Sequence, residues 1–437
     1  MEFGKHLEKG AWGIADKALS IVYGTGFVLL VIRVLPEEEL GNFILLQELF
    51  LIISGLANAL ALQPLLKYAA EDSADYRGIF GAALLLNIAF VLLSSLVVVI
   101  FRGPLSDLLN SAQLAGLLLY MPALLAASFV RNFTLILLQS KLMMKPLFCT
   151  DAVHFLGAVA LIYLFSKFDA FNTAYDLVVI NLISLSASSL IGFWLSRSLI
   201  RLTWKPDARD IRKVWDYGKY ILGGIVSYLF YSRADSFILS AFTGPVQVAM
   251  YNSVKIFTRI FDMAAQVIQM FVLPTTSKLS ARGELARLKA LVEKAVAFSA
   301  IALIPVFLMF LVFSPMLINL IYQGRYTEAI PLLQIFSLLS FLVPLIAVAT
   351  NTLMGLGHAR AGFVISVQIF LVSVLLYMVL TPLFGPVGTT IGFVLSSFVL
   401  AWLTASKMNG FVPITVGELL RRTNDIKVFV RSRLTKE

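Results

Sequence analysis

The sequence predicts an all-α integral membrane protein of about twelve transmembrane helices, arranged as two like-oriented six-helix lobes around a central cavity. Three observations carry this. Of 437 residues 59% are apolar and only 14% charged, far from the roughly one quarter charged that is usual in soluble domains. Apolar runs of about 20 residues recur along the whole chain, each long enough to cross a bilayer. The second half also repeats features of the first, in order.

Spans are expected at about 12 to 34, 41 to 66, 79 to 101, 113 to 138, 147 to 166 and 177 to 198, and then at about 215 to 241, 247 to 273, 293 to 321, 331 to 354, 362 to 382 and 387 to 408. The polar start MEFGKHLEKG leads into a run too long for a signal-peptide core, so the first span is read as retained. The longest polar connection (RSLIRLTWKPDARDIRKVWD, 197–216) falls mid-chain. The expected domains are therefore a lobe at 1–200, a linker at 201–214, a lobe at 215–410 and a basic tail at 411–437.

Alternate connections differ in charge. One set holds Lys67, Arg77, Lys141, Lys145, Arg197, Lys205, Arg212, Lys278, Arg287 and Arg360; the other holds Arg33, Arg102, Lys167 and Arg325 with the acidic run Glu37, Glu38 and Glu39. Cations are retained on the cytoplasmic side, which places both termini there in the cytoplasmic (inner) membrane. The formal charge of +10 is thus a topology signal facing anionic membrane lipids, and no nucleic-acid partner is expected. Cys149 is the single cysteine, and His6, His154 and His358 lack a metal-ligand spacing, so no metal and no cofactor are expected.

The repeat has offsets of 208 to 215. Leu40, Gly41, Asn42 and Phe43 correspond to Val248, Ala249, Met250 and Tyr251; Pro64 and Lys67 to Pro274 and Lys278; Lys145 and Asp151 to Arg360 and Ser366. Six spans separate the copies, an even number, so both lobes keep one orientation about an axis along the membrane normal.

The eighth span carries an unusual stripe. Tyr251, Lys255, Arg259, Asp262, Gln266 and Gln269 recur at steps of four, four, three, four and three, one face of a helix. Charges inside a bilayer must face a bundle or an aqueous cavity. Shifted back by 208, Lys255, Asp262 and Gln266 fall on Gln47, Ser54 and Asn58, so both lobes are expected to line one cavity with polar groups. Arg233 and Lys255 lie about 10 to 12 Å deep at 1.5 Å per residue. Arg233, Lys255 and Arg259, with Arg131 from the fourth span, are therefore candidate anion contacts, because guanidinium matches phosphate with a fork of donors. Asp262, Asp235, Glu48 and Asp16 are candidates for charge balance or for coupling to H⁺ or Na⁺. The competing packing reading pairs Arg233 with Asp262 and Arg259 with Asp235. Asp16 and Lys17 are expected near the cytoplasmic surface, Glu48 as a lone intramembrane carboxylate, and Tyr228 and Tyr231 as candidate sugar-stacking rings.

No phosphate-binding glycine loop and no large external loop occur, so a transporter is expected rather than an enzyme. A membrane glycan polymerase or ligase would need such an external loop.

The segments VLPEEELGNF (34–43), DSFILSAFTGPVQVAMY (235–251), LPTTSKL (273–279), LIYQGRYTEAIPLLQIFSLL (320–339), LMGLGHARA (353–361) and LFGPVGTT (383–390) resemble the polysaccharide-export oligosaccharide flippases of the multidrug/oligosaccharidyl-lipid/polysaccharide superfamily. The resemblance implies two lobes in a V, as in the multidrug (MATE-like) branch, and alternating access. The implied substrate is a polyprenyl-diphosphate-linked oligosaccharide, with other polysaccharide assembly proteins as partners. Asp235 stands where this branch commonly has an acid. The same fold also serves cation-coupled multidrug or metabolite antiporters, the alternative reading.

Overall fold

The computed structural model describes residues 2–70, 77–168, 171–200, 203, 206–415, 417–419 and 421–422. Every regular element among them is helical. By internal contacts the chain divides into two units, Met1–Ala249 and Met250–Glu437.

The N-terminal unit contains α1 (Glu2–Val34), α2 (Glu37–Ala57), a π turn (Asn58–Leu62), α3 (Gln63–Ala70), α4 (Arg77–Leu108), the short α5 (Leu114–Leu117), α6 (Met121–Ser140), α7 (Met144–Lys167), α8 (Ala174–Ser196) and α9 (Ala208–Thr243). Chain entry into α8 is fixed by a capping box: the Asp176 N–H donates to Thr173 Oγ1, and the Thr173 N–H donates to Asp176 Oδ2 at 2.8 Å. Glu39 is not merely a member of an acidic run. It accepts the Ala174 N–H at 2.7 Å and Gln113 Nε2 at 2.8 Å, tying the starts of α2 and α8 together. The core joins Leu62, Leu65, Phe80, Ala83, Phe133, Leu137 and Val214, so α9 packs on the same core as α3, α4 and α6. The polar linker expected at 201–214 includes 201, 202, 204 and 205, which lie outside the described residues.

The C-terminal unit takes up the end of α10 (Pro245–Lys255) and continues with α11 (Arg259–Ala281), α12 (Leu285–Ala302), α13 (Ile304–Val312), α14 (Ser314–Tyr322), α15 (Ile330–Phe336), α16 (Leu339–Gly355) and α17 (Ala359–Asn409). Its core gathers Ile268, Val272, Leu288, Val292, Val348, Leu353, Ile365 and Met408, and Val412 beyond α17 completes it. The 51-residue α17 is broken at Gly385, with φ 56° and ψ −136°. That backbone is open to glycine alone, so the break falls between the two spans expected at 362–382 and 387–408. Thr381 and Thr389 hydroxyls meet across it at 2.9 Å.

Eight helices among the described residues are long and apolar enough to cross a membrane, nine when the pair at 327–336 and 339–355, bent by 41°, is taken as one span. Leu92, Leu93, Leu96, Ile100 and Phe101 of α4 are exposed, an apolar surface that suits acyl chains. The chain is a multi-pass membrane protein.

Candidate functional site

Within the N-terminal unit, α1, α2, α6, α7 and α8 line an open cavity of about 290 Å³, bounded by Gln47 and Ser54 of α2, Arg131 and Asn132 of α6, His154 of α7 and Asn181 of α8. Apolar walls come from Phe43, Phe50 and Leu185, and Tyr23 stacks on Phe155 with centroids 4.6 Å apart. Polar groups inside an apolar bundle are costly unless they are held, and Arg131, His154 and Asn181 are.

Arg131 lies at the centre of that support. Its Nη2 donates to Asp151 Oδ1 at 2.5 Å, both side chains 12% exposed, and its Nε donates to Ser188 Oγ at 3.2 Å. Ser188 in turn donates to the Thr150 carbonyl at 2.7 Å, locking α8 to α7. His154, one helical turn beyond Asp151, sits 3.1 Å from Ser184 Oγ. Asp16 of α1 is only 6% exposed and lies beside Asp151. The surface placement expected for Asp16 is thus corrected, because α1 packs along α7 and turns that face inward. Lys17, its neighbour, is exposed.

Glu48 is not a lone carboxylate. Arg233 of α9 donates to Glu48 Oε2, a pair that closes α2 against α9. Arg233 therefore finds its acid on α2, in place of the Asp262 that packing arguments suggested. Sequence spacing within spans seven and eight could not foresee a partner 185 residues away. Asp235 is fully buried, with Oδ1 accepting the Ser236 N–H at 2.8 Å. Tyr231 is half-buried, and the side chain of Tyr228 lies outside the described residues.

In the C-terminal unit the stripe is divided. Residues 256–258 form a 3₁₀ turn between α10 and α11, which shifts the register of the face. Tyr251 is fully buried against Phe336, and Lys255 Nζ lies over the rings of Tyr251 and Phe393 at 5.6 and 5.9 Å. Lys255 thus turns into its own unit, where cation–π contact supports it. Arg259, Asp262, Gln266 and Gln269 stay exposed beyond the turn, with the Arg259 and Lys255 charges acting on Asp262.

Of the candidate residues, Gln47, Ser54 and Arg131 share the large cavity, and Asn58 lies one helical turn further along the Gln47–Ser54 face at a smaller one. Asp151, His154, Asn132, Asn181 and Ser188 complete the site and were not singled out as its members. A faint signal existed: Asp151 and His154 are three apart on α7, and Ser184 and Ser188 four apart on α8, each pair on one face.

Residues 33–331 match the family described as "Polysaccharide biosynthesis protein". A probable low-salt glycan biosynthesis flippase of Haloferax volcanii is 26% identical over 243 residues, which cover 53% of this chain and about half (51%) of that protein. An uncharacterised membrane protein of Methanocaldococcus jannaschii is 24% identical over 433 residues, 91% of this chain and 83% of that one. Among solved structures, the lipid II flippase MurJ in an inward closed conformation superposes with TM-score 0.74 at 13% identity, covering 97% of this chain and 92% of MurJ. An inward-facing multidrug resistance MATE transporter of the MOP superfamily gives 0.70 at 15% identity, covering 92% and 98%. The fold is therefore the one shared by these MurJ and MATE structures, and, with more than half of its length matched by the family, the chain belongs to the polysaccharide biosynthesis protein family.

Proposed function

We propose that this protein is a flippase that moves a polyprenyl-diphosphate-linked oligosaccharide across the cytoplasmic membrane by alternating access, supplying cell-surface polysaccharide synthesis, with both termini cytoplasmic. The observation that carries the reading is the cavity bounded by Arg131, Asn132, His154, Asn181, Gln47 and Ser54 in a bundle whose outer surface is apolar. Amide and imidazole edges beside stacked rings suit sugar hydroxyls and ring faces, and guanidinium suits phosphate. The lipid tail stays in acyl surroundings while polar groups lower the cost of bringing the head group inward. Family membership and the glycan flippase among the relatives support the same substrate class.

The acids Asp16 and Asp151, buried together beside Arg131, are the candidates for coupling to H⁺ or Na⁺. The same pair also suits the second reading, a cation-coupled multidrug or metabolite antiporter on this fold.

Proteoliposomes loaded with a fluorescent lipid-linked oligosaccharide test the proposal. Leaflet exchange is expected with the wild-type protein and is expected to fall at least tenfold in Arg131→Lys at equal protein level, an effect of about 1.4 kcal/mol or more on the barrier. No exchange of the glycolipid together with drug-driven H⁺ movement would select the antiporter.

A further inference from the structure

Ser54 Oγ, Asn58 Oδ1 and Asn87 Oδ1 are buried and meet no hydrogen-bond donor. An orphaned buried acceptor destabilises a fold. Others occur singly elsewhere, among them Thr276 Oγ1, Ser314 Oγ and Ser340 Oγ, but these three fall in one place. All three residues line one cavity of about 10 Å³ in the N-terminal unit, where α2, α4 and α6 converge, together with Ser128 and Asn132. Asn87 is 2% and Ser128 5% exposed. The Ser128 hydroxyl proton is committed to the Leu125 carbonyl at 3.0 Å, which leaves its oxygen lone pairs available.

The donor set is thus four neutral oxygens, from two amides and two hydroxyls. A cavity of this size takes one water-sized occupant. Water has two hydrogens and leaves acceptors over, whereas a hard cation accepts from all four oxygens at once, as carbonyl rings replace a hydration shell in ion filters. No carboxylate lines the cavity, so a divalent ion would bring two uncompensated charges into a low-dielectric interior. The small volume favours the smaller of the common monovalent ions. Asn58 also opens the π turn, its carbonyl accepting the Gln63 N–H, and π turns interrupt helices most often at functional positions.

We propose that Ser54, Asn58, Asn87 and Ser128 form a Na⁺ site at the π turn of α2. Ser54, Ser128 and Asn132 also line the 290 Å³ cavity, so the ion braces a wall shared with the candidate substrate site. Na⁺ binding here is separate from the Asp16–Asp151 pair and stands whatever molecule the protein transports.

Purified full-length protein in detergent is tested for ²²Na⁺ binding and for thermal unfolding in NaCl, KCl and choline chloride at equal ionic strength. Saturable ²²Na⁺ binding and a Na⁺-specific rise in the unfolding temperature are expected. Both should vanish in Asn87→Leu, weaken about tenfold in Ser54→Ala, which removes one ligand with little change of volume, and persist in Asp151→Asn. If Asn87→Leu fails to fold, Ser54→Ala with Ser128→Ala decides by the same two readings. A wild-type protein without saturable binding, its cavity then holding water only, overturns the proposal. So does binding that is lost in Asp151→Asn and kept in Ser54→Ala.

Discussion

Arg233 on α9 and Glu48 on α2 form an ion pair inside the N-terminal unit, joining residues 185 positions apart, with side chains 22% and 15% exposed. In acyl surroundings such a pair removes two charges that neither helix could carry alone.

The first prediction concerns that pair. Glu48→Gln or Arg233→Gln strands the remaining charge and should cost about 1 to 3 kcal/mol, and the double substitution should cost less than the sum of the singles. A double-mutant cycle on thermal unfolding in detergent measures the coupling. Strict additivity would show that the pair contributes nothing to the fold.

Arg131 and Asp151 form the second pair, 2.5 Å apart and 12% exposed each. Arg131→Lys keeps the charge but loses the fork that reaches Asp151 and Ser188 together. Transport should fall more than stability does. Arg131→Gln should lower both, because it leaves Asp151 beside Asp16 without its cation. Flippase turnover and unfolding temperature, measured on the same preparations, separate the two effects.

Gly218 of α9 lies against the Leu60 carbonyl in the π turn, so close that a Cβ there would overlap the backbone. Gly218→Ala should push α9 off the π turn at a cost of about 1 to 3 kcal/mol. The exposed Gly223, whose Cβ would meet open space, should accept alanine and gain slightly from helix propensity. Unfolding midpoints of the two variants should move in opposite directions.

The fourth prediction is a pH dependence at the C-terminus. Lys289 Nζ donates to Glu418 Oε1 at 2.6 Å, and the Thr415 hydroxyl and N–H each donate to Oε2 at 2.9 Å. These bonds, the lysine first, hold the Glu418 carboxyl down to about 2. A depressed acid stabilises above its unfolded value of about 4.3 and loses that contribution as pH falls toward its folded value. The described residues of 412–422, further tied by Arg422 to Glu293 at 2.8 Å, should stay docked at pH 5 and loosen by pH 3. Hydrogen exchange of this segment, corrected for intrinsic rates, reads the change; Lys289→Ala should abolish the acid step. Equal protection at the two pH values would remove Glu418 from the account.

The basic tail shows how sequence and structure divide the problem. The sequence marked it only as a basic tail, yet Lys289, Glu293, Glu418 and Arg422 compose a network that seats its first part on α12. Residues 423–437 lie outside the described residues. The stripe of the eighth span divides for a similar reason. Its spacing assumed a continuous α-helix, and the 3₁₀ turn at 256–258 tightens the register, so that Tyr251 and Lys255 are turned inward while Arg259 and Asp262 remain exposed.

By itself the sequence determined that this is a helical, multi-pass membrane protein, because apolar run length and alternating charge are properties of the chain that a bilayer reads directly. It also marked the face of α2 that carries Gln47, Ser54 and Asn58. Only the tertiary structure decided which acid meets which base, that Asp16 is buried beside Asp151, and that Asn87 and Ser128 join the α2 face around a small cavity. Those outcomes depend on contacts between helices far apart in sequence, and a polar residue in an apolar run looks the same whether it meets a partner, an ion or a substrate.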